Sequence, residues 1–119
     1  MEERRMLIVE DEGDVCECLG EFFKGHGFAV ESVFSGEEAL AKLSSEDPPD
    51  ILLLDILLPG VSGIEVLMRA KTLYPSTQVV IVSAVDDTTV RLQAYQYGAS
   101  AYITKPFDFS PKTWSAVLS

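Results

Sequence analysis

Residues 51–55, Ile-Leu-Leu-Leu-Asp, form a short apolar run that ends directly at an aspartate. Three more apolar runs occur at residues 6–9, 79–82 and 101–103, and all of them are continuous rather than alternating. Continuous runs of this length are typical of strands buried on both faces, as in a parallel sheet covered by helices. A mixed segment at residues 28–34 predicts a fifth strand nearer the edge of the sheet.

The segments between these runs predict helices. The predicted helices extend from Asp14 to about His26, from a cap at Ser35 to about Leu43, from Gly63 to about Leu73, from a cap at Asp86 or Asp87 to Gly98, and from Pro111 through Trp114 to Leu118. In the first helix, Val15, Leu19, Phe22 and Phe23 recur at three- and four-residue intervals, which predicts a stripe facing the sheet. Five strand–helix units of this regularity predict one doubly wound α/β domain with right-handed crossovers.

Charge is distributed unevenly along the 119 residues. The net charge is −10; residues 1–60 hold 15 acidic and 4 basic side chains, whereas residues 61–119 hold 4 acidic and 5 basic ones. This balance disfavours direct contact with nucleic acid, which requires clustered Lys and Arg, and docking on anionic membranes. The acidic half is either a solvated face or a cluster that holds a cation, and only its position in the fold decides between the two.

Cysteine usage and the start of the chain favour a reducing compartment. Cys16 and Cys18 lie two residues apart inside a predicted helix, so they point to different faces and cannot easily form a disulfide. A zinc site is disfavoured because the chain has only one histidine, His26. The charged start does not resemble a signal peptide, and no apolar run approaches the ~20 residues of a membrane span. We therefore expect a cytoplasmic protein.

Acidic residues follow two of the predicted strands. Glu10 and Asp11 follow the first strand, and Asp55 follows the third. In a doubly wound sheet, ligands bind at the carboxyl ends of the strands where the strand order reverses. If the order is 2-1-3-4-5, strands 1 and 3 are neighbours and the three carboxylates converge in one cleft. Carboxylates this close repel one another unless a cation is present, and hard oxygen donors at an open cleft suit Mg²⁺.

Two other polar residues follow the later strands. Ser83 comes after strand 4, and Lys105 comes after strand 5, where we expect its ammonium on the rim opposite the metal. A metal ion and an ammonium that flank Asp55 can stabilise a phosphoryl group, and a carboxylate can itself accept phosphoryl as an aspartyl-phosphate. Ser83 could donate a hydrogen bond to that group.

Four motifs in the right order resemble the response-regulator receiver domains of two-component signal transduction. They are the segments 7–12, 55–63, 82–84 and 98–107, which contain Glu10-Asp11, Asp55, Ser83 and Lys105-Pro106. The resemblance covers essentially the whole chain and implies a flavodoxin-like fold with a five-stranded parallel sheet in the order 2-1-3-4-5. It also implies a single receiver domain over residues 1–119, which either stops or has been cut at the end of the receiver.

The resemblance implies a role for each residue at the strand ends. Asp55 is the phosphoacceptor and Lys105 contacts the phosphoryl group. Asp11 ligates Mg²⁺ directly, Glu10 does so directly or through water, and Asp55 and the backbone carbonyl of Leu57 complete the protein ligands. The family often has aspartate at position 10, where this chain has Glu10, so the carboxylate reaches one methylene further.

The resemblance also implies a switch and its partners. Ser83 moves to bond the phosphoryl oxygen, Tyr102 turns inward, and the bond before Pro106 is cis. The implied phosphodonor is a sensor histidine kinase or a histidine phosphotransfer protein, which meets the family at helix 1. An output domain or target protein, or a homodimer through helix 4, strand 5 and helix 5, receives the signal. The domain is not an enzyme, since it catalyses only its own phosphorylation and dephosphorylation.

Three other functions are less consistent with the residues. Phosphatases of the haloacid dehalogenase type carry Asp-x-Asp, whereas the residue two positions after Asp55 is Leu57. A flavodoxin-like FMN carrier needs a hydroxyl- and glycine-rich loop after strand 1, where residues 10–12 are all acidic. A constitutive binding module would not need Asp55 together with Lys105. Because Leu57 and Val85 are apolar and cannot orient an attacking water, we expect slow self-dephosphorylation.

Overall fold

Five strands alternate with five helices in the computed structural model, which describes residues 3–45 and 47–118. The predicted bounds 1–119 also include residues 1, 2, 46 and 119, which lie outside the described residues. The elements are β1 (Arg5–Val9), α1 (Gly13–Gly25), β2 (Ala29–Val33), α2 (Gly36–Leu43), β3 (Ile51–Leu54), α3 (Gly63–Leu73), β4 (Gln78–Ser83), α4 (Thr88–Gln96), β5 (Ala101–Thr104) and α5 (Ser115–Leu118). Within the described ranges, no helix combines the length and the apolar character needed to cross a membrane.

All strand pairs are parallel, and the strand order is β2-β1-β3-β4-β5, which confirms the predicted fold class. Val9 in β1 pairs with Leu54 in β3, and Ser83 in β4 pairs with Thr104 in β5. The residues that follow these positions therefore leave the sheet at the same edge. The edge strand β2 is largely exposed, as its mixed sequence predicts.

Side chains of the central strands alternate between two core layers because successive residues of a strand point to opposite faces. One layer lies under α2, α3 and α4 and includes Leu52, Leu54, Val79 and Ile81 from the strands. The other lies under α1 and α5 and includes Ile8, Ile51, Leu53, Val80, Val82 and Trp114. Both layers are almost wholly apolar, so the polar residues concentrate at the strand ends.

The buried face of α1 differs from the predicted stripe. Its buried residues are Cys16, Leu19, Gly20 and Phe23, whereas Val15 and Phe22 are only half-buried. The buried residues fit the helical period no less well than the predicted stripe does. They place the small Cys16 and Gly20 where the helix approaches the sheet. Phe22 instead stacks on Phe109, at 4.5 Å between ring centroids.

The starts of α4 and α5 decide between the two predicted caps of α4 and correct the predicted start of the last helix. Asp87 caps α4, since its Oδ1 accepts hydrogen bonds from the N–H groups of Thr89 and Val90. The predicted last helix is shorter than expected and covers only Ser115–Leu118. Residues 111–114 instead form a hydrogen-bonded turn, in which Ser110 Oγ accepts from the Thr113 N–H and the Ser110 carbonyl accepts from the Trp114 N–H. These are the contacts of a capped first helical turn, so the turn leads directly into α5.

Candidate functional site

Asp55 is a buried carboxylate at the carboxyl end of β3, with only 3% of its surface exposed. Its Oδ1 accepts a hydrogen bond from the Leu57 N–H at 3.0 Å, and its Oδ2 lies 2.9 Å from Lys105 Nζ. Its own N–H donates to the Val9 carbonyl, which places it directly beside the end of β1. Both oxygens are therefore held in place, and the group next to them is a cation.

Lys105 lies closer to the centre of the site than its sequence position predicts. Its Nζ lies 2.7 Å from Glu10 Oε1, 2.9 Å from Glu12 Oε1 and 2.9 Å from Asp55 Oδ2, so it joins the carboxylates rather than facing them across a cleft. The backbone N–H of Lys105 donates to the Ser83 carbonyl, and this bond extends the hydrogen bonding between β4 and β5 to the site. The bond between Lys105 and Pro106 is cis.

Three of the predicted residues form a group that could hold a cation. Glu10, Asp11 and Asp55 each offer one carboxylate oxygen, and these oxygens lie within 4.8 Å of one another. Glu10 and Asp55 are buried and Asp11 is exposed, so the group opens to solvent on one side. Hard oxygen donors with room for water fit Mg²⁺, which keeps part of its hydration shell. The Leu57 carbonyl stays a predicted fourth ligand.

Burial and neighbouring charges act in opposite directions on the two central ionisable groups. Burial raises the pKa of the Glu10 carboxyl, and hydrogen bonds from Lys105 and from the Glu12 N–H offset only part of that rise. Burial alone lowers the pKa of the Lys105 ammonium, but hydrogen bonds to Glu10, Glu12 and Asp55 together outweigh it and raise the pKa above its usual value. Lys105 is therefore a fixed positive charge at neutral pH, whereas the buried Glu10 carboxylate benefits from additional positive charge.

The start of α3 packs directly against the backbone of Asp55. A Cβ atom at Gly63 would collide with the Asp55 carbonyl oxygen and with Ile56 Cα. The Gly63 N–H donates to the Ile56 carbonyl at 3.0 Å, and Ser62 caps the helix by accepting from the Glu65 N–H. Position 63 therefore needs glycine because the colliding atoms are backbone, which cannot swing aside as a side chain can.

The predicted switch residues Ser83 and Tyr102 both contact the backbone of Val85. Ser83 is fully buried, and its Oγ accepts a hydrogen bond from the Val85 N–H at 3.3 Å. Tyr102 is 8% exposed, and its hydroxyl donates to the Val85 carbonyl at 2.6 Å. The loop between β4 and α4 therefore links Tyr102 to Ser83 through the backbone of Val85, while the predicted inward turn of Tyr102 stays a prediction.

Arg91 in α4 is a further residue of this region that sequence reasoning missed. Its guanidinium lies 4.5 Å over the Tyr102 ring, donates to Asp86 at 2.7 Å and donates to the Thr104 hydroxyl at 3.0 Å. These contacts connect α4, the β4–α4 loop and the end of β5. No local pattern identifies Arg91, because its partners lie 5 to 13 positions away and meet it only through the fold.

Tyr102 supplies a pH-dependent contribution to stability. Burial raises the pKa of its hydroxyl above 10.0, and the charge of Arg91 offsets part of that rise. The unfolded chain releases this proton first, so the contribution is complete below about pH 10 and is lost as the pH rises through the raised pKa. We expect Tyr102→Phe to cost about 1 kcal/mol at neutral pH, through the lost hydrogen bond. The difference in the free energy of unfolding between this variant and the wild type narrows above about pH 10.

Urea unfolding followed by circular dichroism from neutral pH to about pH 11 measures that gap. Tyr95→Phe is the matched control, because Tyr95 is 43% exposed on α4. Its gap to the wild type is expected to stay small and constant. A gap for Tyr102→Phe that widens with pH would contradict the sign of the pKa shift.

Together, the fold and the site define a doubly wound α/β domain with a lysine-bridged acidic cleft at the carboxyl ends of its strands. A family model described as the response regulator receiver domain matches residues 6–111, so the chain belongs to the response regulator receiver family. The predicted family is confirmed.

Two curated relatives illustrate the proteins in which such a domain occurs. A cyclic di-GMP phosphodiesterase from Thermotoga maritima is 41% identical over 101 residues, which are 85% of this chain and 27% of that protein. The DNA-binding transcriptional regulator NtrC from Salmonella typhimurium is 37% identical over 101 residues, which are 85% of this chain and 21% of that protein. This chain therefore spans less than a third of the length of either relative.

Solved structures show the same fold. A receiver domain protein from Methanospirillum hungatei superimposes with a TM-score of 0.85 at 29% identity, covering 90% of this chain and 85% of that one. The BeF3-activated N-terminal receiver domain of RstA from Klebsiella pneumoniae gives a TM-score of 0.83 at 26% identity, covering 95% of this chain and 93% of that one. The likeness extends over nearly the full length of both structures.

Proposed function

We propose that this chain is a phosphoacceptor domain, phosphorylated on Asp55 by the phosphohistidine of a sensor histidine kinase or a histidine phosphotransfer protein. One observation carries the proposal: the buried Asp55 holds Lys105 on one oxygen and the Leu57 N–H on the other, beside Glu10 and Asp11. We further propose that residues 1–119 form a single receiver domain of a longer cytoplasmic regulator. The much greater length of the curated relatives supports this.

The proposed transfer needs positioning and charge more than covalent catalysis. An Asp55 oxygen attacks phosphorus, the phosphorus–nitrogen bond of the phosphohistidine breaks, and the imidazole leaves with the electron pair and takes up a proton. Lys105 neutralises charge on the phosphoryl oxygens. Glu10, Asp11, Asp55 and the Leu57 carbonyl would hold Mg²⁺, which when bound offsets the repulsion between donor and carboxylate. The chain modifies only itself, so it is not an enzyme that turns over a separate substrate.

The proposed response to phosphorylation begins at Ser83 and Tyr102. The Ser83 hydroxyl exchanges its bond with the Val85 N–H for one with a phosphoryl oxygen, and the β4–α4 loop follows because Val85 also binds Tyr102. This reshapes the surface of α4, β5 and α5, where Leu92 and Tyr95 are exposed. An output domain, a target protein or a second copy of the chain would bind there.

A groove beside Lys105 suits the approach of the phosphodonor. The α1–β5 groove has a volume of about 580 Å³ and is lined by Glu12, Val15, Cys18, Lys105, Phe107 and Phe109 among others. Its walls come from α1 and from the segment after β5, and they are largely apolar. A helix of a partner protein could bury apolar side chains here and bring a histidine to Asp55.

Incubation with acetyl phosphate and Mg²⁺, followed by intact-mass measurement, tests the proposed function. We expect a gain of one phosphoryl group that disappears in Asp55→Asn and when the metal is chelated. Asp47→Asn is the matched control, since the Asp47 carboxylate is exposed and pairs only at the surface with Arg5. Absence of any gain in the wild type would overturn the phosphoacceptor function and favour a constitutive binding module.

A further inference from the structure

Among the described residues, the carboxylate of Glu12 is the one side-chain partner of Lys105 that faces solvent. The Glu12 side chain is 60% exposed, whereas the side chains of Glu10 and Asp55 are 2% and 4% exposed. Glu12 also lines the α1–β5 groove, next to Lys105. Its carboxylate therefore stands at the open side of the site, where a phosphodonor must arrive.

The Glu12 side chain has no structural role in α1. Glu12 is the residue before α1, where Ser, Thr, Asp and Asn are the common caps, and its longer side chain makes no capping hydrogen bond. Only its backbone carbonyl serves the helix, by accepting from the Cys16 N–H. The carboxylate instead lies 2.9 Å from Lys105 Nζ, so it contributes charge to the site rather than stability to α1.

Charge balance identifies Glu12 as the surplus carboxylate. Glu10, Asp11 and Asp55 carry three negative charges, which the ammonium of Lys105 and one divalent cation would neutralise. Glu12 shares the Lys105 ammonium with them and adds a fourth negative charge, so the four carboxylates of the described site carry one charge more than Lys105 and the cation together supply. Being exposed, this charge repels an approaching anion in proportion to the anion's own charge.

We propose that Glu12 is a donor-specificity residue, which disfavours small dianionic phosphodonors relative to less charged ones. The inference rests on the proposed phosphoacceptor function and adds to it a residue that controls the choice of donor. A partner protein that binds in the α1–β5 groove offsets the repulsion with its own contacts. A small metabolite such as an acyl phosphate has no such contacts, so Glu12 favours phosphoryl groups carried on protein.

The test compares the rates of phosphorylation by acetyl phosphate, a dianion near neutral pH, and by phosphoramidate, which carries one net negative charge. Charges roughly 7 Å apart in water change a rate by about threefold for each unit of charge. We therefore expect Glu12→Gln to raise the ratio of the acetyl phosphate rate to the phosphoramidate rate by about threefold. Added salt should narrow the difference between variant and wild type, because exposed charges are screened.

Two control variants separate the effect of the Glu12 charge from the effects of its contact with Lys105 and of a charge elsewhere on α1. Glu12→Asp keeps the charge and should retain the wild-type ratio even if its bond to Lys105 is lost. Glu17→Gln removes an exposed carboxylate elsewhere on α1 and should also leave the ratio unchanged. An unchanged ratio in Glu12→Gln, with the wild type phosphorylated by both donors, would overturn the specificity role alone. A wild type that neither donor phosphorylates would overturn the phosphoacceptor function and this role together.

Discussion

Replacing Leu57 with asparagine is expected to shorten the lifetime of the phosphorylated protein by about tenfold, from a wild-type lifetime of minutes or longer. The Leu57 N–H bonds Asp55 Oδ1, so the Leu57 side chain stands next to the carboxylate that would carry the phosphoryl group. That side chain is 58% exposed and lies where water would approach. The leucine side chain cannot orient a water molecule, whereas the asparagine amide can accept a hydrogen bond from water and donate one to it.

The lifetime is measured by loss of the phosphoryl group in intact-mass spectra after the donor is removed. Leu57→Met is the matched control, since it keeps an exposed apolar side chain of similar size and should decay like the wild type. Both substitutions lie on the surface, so neither should disturb folding. Decay of the wild type within seconds, or equal decay of the wild type and the asparagine variant, would contradict the argument.

Trp114→Ala is expected to lower the free energy of unfolding by about 3–5 kcal/mol, because a large buried side chain leaves a cavity. Trp114 is fully buried, and its ring lies 5.2 Å from that of Phe23 and 5.3 Å from that of Phe107, between centroids. Its indole N–H donates to the Asp108 carbonyl at 2.7 Å. Domains of this size have only about 5–15 kcal/mol of stability, so the variant should be partly unfolded at moderate urea concentrations.

Urea unfolding followed by far-UV circular dichroism measures this loss, since Trp114 is the single tryptophan and its fluorescence is lost with it. Trp114→Phe keeps most of the apolar volume and should fall between the wild type and the alanine variant. Leu92→Ala is the control for removing a large apolar side chain, because Leu92 is 58% exposed on α4. It should change stability by less than about 0.5 kcal/mol. A loss below about 1 kcal/mol in Trp114→Ala would contradict the packing argument.

Much of the fold was predictable because local polarity encodes it. A strand buried on both faces needs continuous apolar residues, and residues 51–54 satisfy that need without reference to any other segment. The exact helix face was less predictable. Cys16 and Val15 are adjacent apolar residues, and only the approach of α1 to the sheet decides which of them is buried.

The site likewise contains residues that the sequence predicts and one whose role it does not. Asp55 and Lys105 could be singled out because each follows a strand, and parallel strands end at one edge. The role of Glu12 could not be predicted, since an exposed glutamate before a helix is ordinarily a solvated charge. Its contact with Lys105 spans 93 positions and exists only because β1 and β5 end at the same edge of the sheet.

The sequence by itself therefore determined the order of strands and helices, the class of fold and the carboxylates at the strand ends, because these depend on residue type and spacing. The tertiary structure decided that Lys105 bridges Glu10, Glu12 and Asp55, and that Arg91 lies over Tyr102. Such contacts depend on strand register and on how the helices pack. Residues far apart in the chain set both, so no local pattern contains them.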